Sequence, residues 1–163
     1  MAHDDVDSGA RTSDDVTDVV IVGWGPVGQT LAILLAERGW RVTALEKQPV
    51  AYPLPRAVHF DHEVGRILQA AGVAAAIRDR TESTDAYEWR NGRGDVLLRF
   101  ETGGLGLSGW PESNMFAQPE LEAELDARAR TLERITLRRG HEVTALDDAR
   151  DLVRVTARTP DGT

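Results

Sequence analysis

Several things are scarce or missing in this chain, and each absence narrows what it can be. It has no cysteine, so it contains no disulfide, no thiolate metal site and no thiol nucleophile, a usage that fits a cytoplasmic protein. Long apolar runs are missing as well: none approaches bilayer length, and no membrane span is expected. The opening residues have neither the basic start nor the apolar centre of a secretory signal. Basic charge is outnumbered, with 19 Lys and Arg against 27 Asp and Glu and a net charge of −8, which argues against nucleic acid or an anionic membrane as partner. Histidines are too scattered for a metal centre: His3 lies in the opening stretch and His141 is far from His59 and His62. Half of the net charge comes from Asp4, Asp5, Asp7, Asp14 and Asp15 against Arg11, so residues 1–17 are expected to form a disordered acidic tail. Residues 18–163 remain, enough for a packed core.

What is present begins at Asp18. Val19 to Val22 is a β-branched run of the kind that forms a strand buried on both faces. It runs directly into Gly23-Trp24-Gly25-Pro26-Val27-Gly28. Gly23 permits a tight turn, Gly25 removes the side chain that would block a pyrophosphate, and Gly28 lets the next helix lie close to the sheet. Pro26 suits a first helical turn, and Val27, Leu31, Leu34 and Leu35 fall on one apolar face, with Gly39 as the stop. The helix start directs free N–H groups and partial positive charge at a phosphate. A second strand, Val42 to Glu46, ends in a carboxylate suited to ribose hydroxyls and unsuited to a 2′-phosphate, which favours FAD or NAD over NADP at this position. Strand, turn, helix, strand and acid together predict an α/β, Rossmann-like dinucleotide-binding fold.

The same glycine pattern recurs at Gly104, Gly106 and Gly109. Trp110 and Pro111 follow at once and no amphipathic helix opens, so this copy reads as a flexible loop. Between the two, Lys47 to Ala57 is a loop stiffened by Pro49, Pro53 and Pro55. Asp61 is a candidate cap for a helix carrying Val64, Ile67, Leu68 and Ala71 and ended by Gly72, and Val73 to Ile77 forms a further helical turn. Strands are expected at Ala86 to Arg90 and Val96 to Phe100 around an Asn91-Gly92 hairpin signal. Pro119 opens a helix with Leu121, Leu125 and Leu132 inward. Strands follow at Ile135 to Arg138, Glu142 to Leu146 and Leu152 to Thr159, with Asp147 to Arg150 as the last turn. A third parallel strand is not evident after Glu46, and Pro160-Asp161-Gly162 is a turn with no strand after it. The domain is therefore expected to be cut short before it is complete, its extra β-strands inserted into the dinucleotide-binding framework. His59, Asp61 and His62 suggest acid–base chemistry, but capping is the simpler role for Asp61. Trp89, Trp110 and Phe116 read as packing residues.

Four blocks occur in order: Gly23 to Gly28; Leu45-Glu46-Lys47; Pro55-Arg56-Ala57 running into Asp61; and Gly109-Trp110-Pro111 through Asn114 to Gln118-Pro119. In these the chain resembles the flavin-dependent aromatic hydroxylases, the single-component monooxygenases related to para-hydroxybenzoate hydroxylase, and among them the 3-(3-hydroxyphenyl)propionate hydroxylases. The resemblance implies FAD contacts from Gly23, Gly25, Pro26, Val27 and Gly28, with Glu46 and Lys47 at the ribose end. It implies Arg56 beside the pyrophosphate, Gln118 on the extended cofactor, and the Val143 backbone at the adenine. It departs from the family at Trp24, where a small residue is usual, and at His59. Trp24 is expected to point to solvent or along the adenosine. The implied parent reaction is hydroxylation of a phenolic substrate with molecular oxygen and NADH or NADPH as electron donor, with no residue assigned as catalytic acid or base. The residues alone also admit an NAD-linked dehydrogenase, a flavoprotein oxidase, or a non-catalytic dinucleotide-binding module.

Overall fold

The computed structural model describes residues 17–159; the acidic opening stretch and the closing Pro160–Thr163 turn lie outside them. Strand β1 (Val19–Val22), helix α1 (Pro26–Glu37) and strand β2 (Val42–Glu46) form a parallel β-α-β unit, with Val19 opposite Val42 and Val22 opposite Leu45. Gly39, at φ +93°, ends α1 as expected. The strand is less enclosed than its composition suggests: Ile21 is buried, but Val22 is 59% exposed, because β1 is the outer strand of its sheet among the described residues.

Helix α1 turns a different face inward from the one its leucines suggest. Gln29, Ala32, Ile33 and Ala36 are buried, Leu34 and Leu35 are only partly buried, Leu31 is exposed and Val27 is 82% exposed. Gly28 explains the rotation. A Cβ there would lie 2.2 Å from the Gly23 carbonyl oxygen and 3.4 Å from Ile21 Cγ2, so this glycine faces the strand at the closest approach. Ala32, Ile33 and Ala36 are then turned inward, and Leu31 is left exposed on the other side.

The chain next runs through β3 (His59–Asp61), α2 (His62–Ala70), α3 (Ala74–Arg78) and β4 (Glu82–Ser83) to the hairpin β5 (Ala86–Arg90) and β6 (Val96–Glu101). Asp61 caps α2, accepting from the Val64 N–H at 2.9 Å. Of the apolar residues expected inward on α2, Leu68 and Ala71 are buried while Val64 and Ile67 are each 37% exposed; Gly65 fills the remaining inward position, where a Cβ would be 2.5 Å from the Trp110 ring. The β5–β6 turn is wider than Asn91-Gly92 alone implies. The Asn91 N–H reaches the Asp95 carbonyl and Gly94 takes the positive φ, so the hairpin closes through a longer loop. One hairpin face is apolar, Tyr87 opposite Phe100 and Trp89 opposite Leu98, all exposed; the other pairs Glu88 with Arg90 and Arg99. Trp89 is thus not the packing residue expected.

Strand β7 (Ser113–Met115) lies between β3 and β4, antiparallel to both. Helix α4 (Gln118–Ala129) has Pro119 in its first turn, buries Leu121 and Leu125, and packs against α1. It leads into β8 (Ile135–Arg139), which pairs parallel with β2 from Val42 opposite Ile135 to Glu46 opposite Arg139. This is the third parallel strand, ahead of which the chain travels through all the inserted elements. Strands β9 (Glu142–Ala149) and β10 (Leu152–Arg158) close an antiparallel pair. Their turn is Arg150 and Asp151 rather than Asp147 to Arg150, since β9 stays paired through Ala149. The main core joins Ile21, Trp24, Ile33, Val42 and Ala44 to Leu121 and Leu125 of α4 and to Phe60, Leu68 and Trp110, so one apolar body supports both the turn after β1 and the strands inserted later. Phe60 meets Trp110 and Phe116 edge to face, the packing role expected of the latter two.

Candidate cofactor-binding site

The turn from β1 into α1 is built from glycines with distinct physical duties. Gly23 adopts φ +102°, a conformation that other residues resist. Gly28 is required by packing, as described above. Gly25 is different. It sits at φ −84°, a backbone open to any residue, and a Cβ placed on it would meet nothing within 4 Å. No intramolecular contact demands a glycine there, so the open space above it is the feature to be explained. The N–H groups of Gly25, Val27 and Gly28 have no hydrogen-bond partner among the described residues. Pro26 opens the helix and has no N–H to offer. The result is bare backbone with free donors at the positive end of a twelve-residue helix.

Glu46 stands beside this turn. Its Oε2 accepts from the Trp24 N–H and its Oε1 from the Gln48 N–H, both at 2.8 Å. Each oxygen retains lone pairs for a further donor. Strand β9 begins next to it, since the His141 N–H donates to the Glu46 carbonyl at 3.0 Å, which brings Val143 within two residues of the same corner. Lys47 follows Glu46 and is exposed.

Arg56 lies on the exposed proline-stiffened loop, its guanidinium 5.2 Å from the Tyr52 ring centre. Gln118, 5% exposed at the start of α4, holds that loop: its Oε1 accepts from the N–H groups of Arg56 and Ala57 at 2.8 and 2.7 Å. Its Nε2 donates to Glu122 at 2.6 Å. Gln118 therefore anchors Arg56 from 62 residues away, a contact that spacing along the chain does not reveal.

Trp24 lies neither in solvent nor along an open groove. It is 3% exposed, and its indole donates to Asp126 Oδ1 of α4 at 2.8 Å. Buried Gln29 adds a bond from Nε2 to the Trp24 carbonyl at 2.9 Å. Sequence reasoning missed Gln29 and Asp126; a glutamine inside a helix and an aspartate beside Leu125 carry no local signal for this role. Asp126 is burdened by desolvation, yet the indole bond, the Arg130 bond and the charges of Arg130 and Arg139 hold its carboxyl below the usual aspartate value.

The second glycine motif makes a different object. It closes on itself as a hydrogen-bonded hairpin: Gly106 N–H bonds the Trp110 carbonyl, Glu112 N–H bonds the Gly104 carbonyl, and Leu105 bridges Pro111. His62 joins it to α2, with Nδ1 3.1 Å from Ser108 Oγ and Nε2 3.6 Å from Glu112. His62 thus serves the packing of this loop, while His59 remains exposed on β3.

Among the described residues no helix is long and apolar enough to cross a membrane, and no group of His, Cys, Asp or Glu could hold a metal ion. Comparison with known proteins agrees with the geometry. The chain is 43% identical over 130 residues to a probable NADH-specific resorcinol 4-hydroxylase of Rhodococcus jostii, covering 80% of this chain and 24% of that protein. It is 34% identical over 147 residues to a 3-(3-hydroxyphenyl)propionate/3-hydroxycinnamic acid hydroxylase of a Mycobacterium species, covering 90% and 26%. The fold matches the crystal structure of p-nitrophenol 4-monooxygenase from Pseudomonas putida with a TM-score of 0.79 at 28% identity, over 90% of this chain and 38% of that one. The chain thus spans about a quarter of the length of the curated relatives it matches. The FAD binding domain family matches residues 16–163, nearly the whole chain, and with the bare glycine turn and its neighbouring acid in place, the chain belongs to that family.

Proposed function

We propose that this chain supplies the adenosine- and pyrophosphate-binding part of an NADH-dependent flavoprotein monooxygenase that hydroxylates a phenolic aromatic substrate with molecular oxygen in the cytoplasm. The observation that carries the reading is Gly25, a glycine that neither conformation nor packing requires, set between free N–H groups. A diphosphate explains it, because it needs bare backbone to approach and donors to receive it. In this reading Gly23, Gly25, Pro26, Val27 and Gly28 form the phosphate cradle, and Glu46 takes the ribose hydroxyls with Lys47 beside it. Arg56 presents its cationic fork to the pyrophosphate, held in reach by Gln118, and the Val143 backbone borders the adenine.

Bound FAD supplies the redox chemistry. The described residues bind and orient it: Glu46 fixes the sugar, the α1 terminus stabilises the phosphate charge, and buried Trp24 keeps the turn from collapsing into the cradle. NADH as donor and a phenol as substrate are supported by the names of the relatives, which include a probable NADH-specific resorcinol hydroxylase and several hydroxycinnamate hydroxylases. A dehydrogenase reading has no comparable support.

Calorimetric titration of the chain with FAD, ADP and NAD tests the proposal. FAD and ADP should bind, and Glu46→Ala should weaken both about tenfold, the effect of removing a charged hydrogen-bond acceptor. Tight binding of NAD with no affinity for FAD would replace the flavoprotein reading by that of a dehydrogenase.

A further inference from the structure

Trp24 stands between two glycines, Gly23 and Gly25, which have no side chains to hold the backbone in place. All three of its polar groups are bound, each by a side chain from elsewhere. The backbone N–H goes to Glu46 Oε2 at 2.8 Å, the carbonyl accepts from Gln29 Nε2 at 2.9 Å, and the indole Nε1 donates to Asp126 Oδ1 at 2.8 Å. Asp126 is far along the chain on α4. Its carboxylate also faces Arg130 Nε at 2.7 Å and an Arg139 nitrogen at 3.6 Å. Arg139 is in turn the β8 residue registered opposite Glu46. The contacts thus run from Glu46 to the Trp24 backbone, through the indole to Asp126, and by Arg139 back to the strand that bears Glu46.

We propose that Asp126 is a positioning residue for the dinucleotide site. By gripping the Trp24 indole it fixes the turn between the two glycines, and with it the Glu46 carboxylate bonded to the Trp24 N–H. This rests on reading the turn as an adenine-dinucleotide site. Glycine-flanked backbone has many conformations to lose on binding. A turn fixed in advance avoids that loss, so its affinity depends on the side chain that does the fixing. Asp126 acts through Trp24 and not by touching the ligand itself.

The test uses the full chain with ADP as probe, followed by calorimetry. Asp126→Leu removes the acceptor and should weaken ADP about tenfold. Asp126→Asn keeps an oxygen for the indole while discarding the charge, and should stay within about threefold of the unaltered chain. Trp24→Phe keeps a buried ring and removes only the donor, so it should match Asp126→Leu, and the double variant should be no weaker than Trp24→Phe alone. Unchanged ADP affinity in Asp126→Leu and Trp24→Phe overturns the proposal. So does an Asp126→Asn variant as weak as Asp126→Leu, because the arginine pairs and not the indole bond would then matter. Additive losses in the double variant count against it equally. If Asp126→Leu fails to fold, Trp24→Phe decides alone: weaker ADP binding supports the indole link and unchanged binding refutes it. An unaltered chain that binds neither ADP nor FAD refutes the site itself; one that binds both, indifferent to these substitutions, refutes only the role of Asp126.

Discussion

The two glycine motifs, Gly23-x-Gly25-x-x-Gly28 and Gly104-x-Gly106-x-x-Gly109, share a pattern and almost nothing else. In the first, the middle glycine is spatially free and the last is pressed against backbone; in the second, the middle glycine is the crowded one, its missing Cβ 2.3 Å from the His62 ring. The first releases the chain into a helix whose leading N–H groups stay unbonded. The second folds back on itself and satisfies its N–H groups internally, Gly106 to Trp110 and Gly109 to Gly106. A glycine required by its neighbours says something about packing. A glycine that its neighbours do not require points outward, to something that must approach.

Substitutions can break that contrast in order of size. The largest effect is expected at Gly28, where Val would drive atoms into the Gly23 carbonyl, only 2.2 Å from the first added carbon. Backbone cannot step aside as a side chain can, and a loss of about 3 kcal/mol of stability should follow. A urea denaturation curve checks it: a midpoint unmoved by Gly28→Val would mean that α1 does not sit against β1 as described. Next comes Gly25→Val. Its branched side chain enters open space, so stability should change by no more than about 1 kcal/mol, the scale of an N-cap change. FAD affinity should nevertheless fall about 100-fold, because the bulk stands where the pyrophosphate must lie. Loss of stability without loss of affinity would place Gly25 in the same class as Gly28 and remove the distinction.

The separation between the motifs was partly legible in the chain. Strand, helix, strand and Glu46 around the first, and Trp110-Pro111 after the second, were enough to tell them apart, because these signals are local. The rotation of α1 was not legible. Leu31, Leu34 and Leu35 give a periodic stripe, but the face is chosen by the contact of Gly28 with Gly23, which turns Ala32, Ile33 and Ala36 inward instead. The third parallel strand was visible as a strand and hidden as a partner, since β8 reaches β2 only after residues 47–134 have gone elsewhere. The burial of Trp24 is hidden for the same reason: its acceptor, Asp126, is 102 residues away. The roles of Glu46 and the glycine cradle follow from spacing, whereas those of Gln29, Gln118 and Asp126 depend on long-range packing.

A smaller effect sharpens the second motif. In Gly106→Ala the new methyl would lie 2.3 Å from His62 Cγ and 2.7 Å from its Cβ, so the ring must swing away from Ser108 and Glu112. A cost of about 1–2 kcal/mol is expected, with FAD affinity unchanged. Altered affinity measured by the same titration would show that this hairpin reaches the cofactor after all.

The smallest effect concerns acid, which should touch the first turn through Asp126. Burial raises that carboxyl, but the Trp24 indole bond, the Arg130 bond and the charges of Arg130 and Arg139 outweigh it and leave it below the ordinary value of 3.8. A carboxyl lowered in the folded protein stabilises it fully above the unfolded value, and that contribution fades as pH falls through the folded one. The contribution of Asp126 to folding should therefore be complete at pH 5 and fade only as pH falls below 3.8, through its lowered folded value. Asp18, Glu88 and Glu101 are likewise lowered, mainly by side-chain hydrogen bonds from Arg41, Arg90 and Arg99 respectively. They lie at the surface and remain present in Asp126→Asn, so they contribute the same background to both proteins. Urea denaturation of the unaltered chain and Asp126→Asn at pH 5 and pH 3 isolates the difference: the unaltered chain should lose more stability, because only it carries the Asp126 carboxylate to be protonated. An equal fall in both would mean that the charge of Asp126 adds nothing to folding, and that its role at the first turn rests on the indole bond, which Asn also accepts.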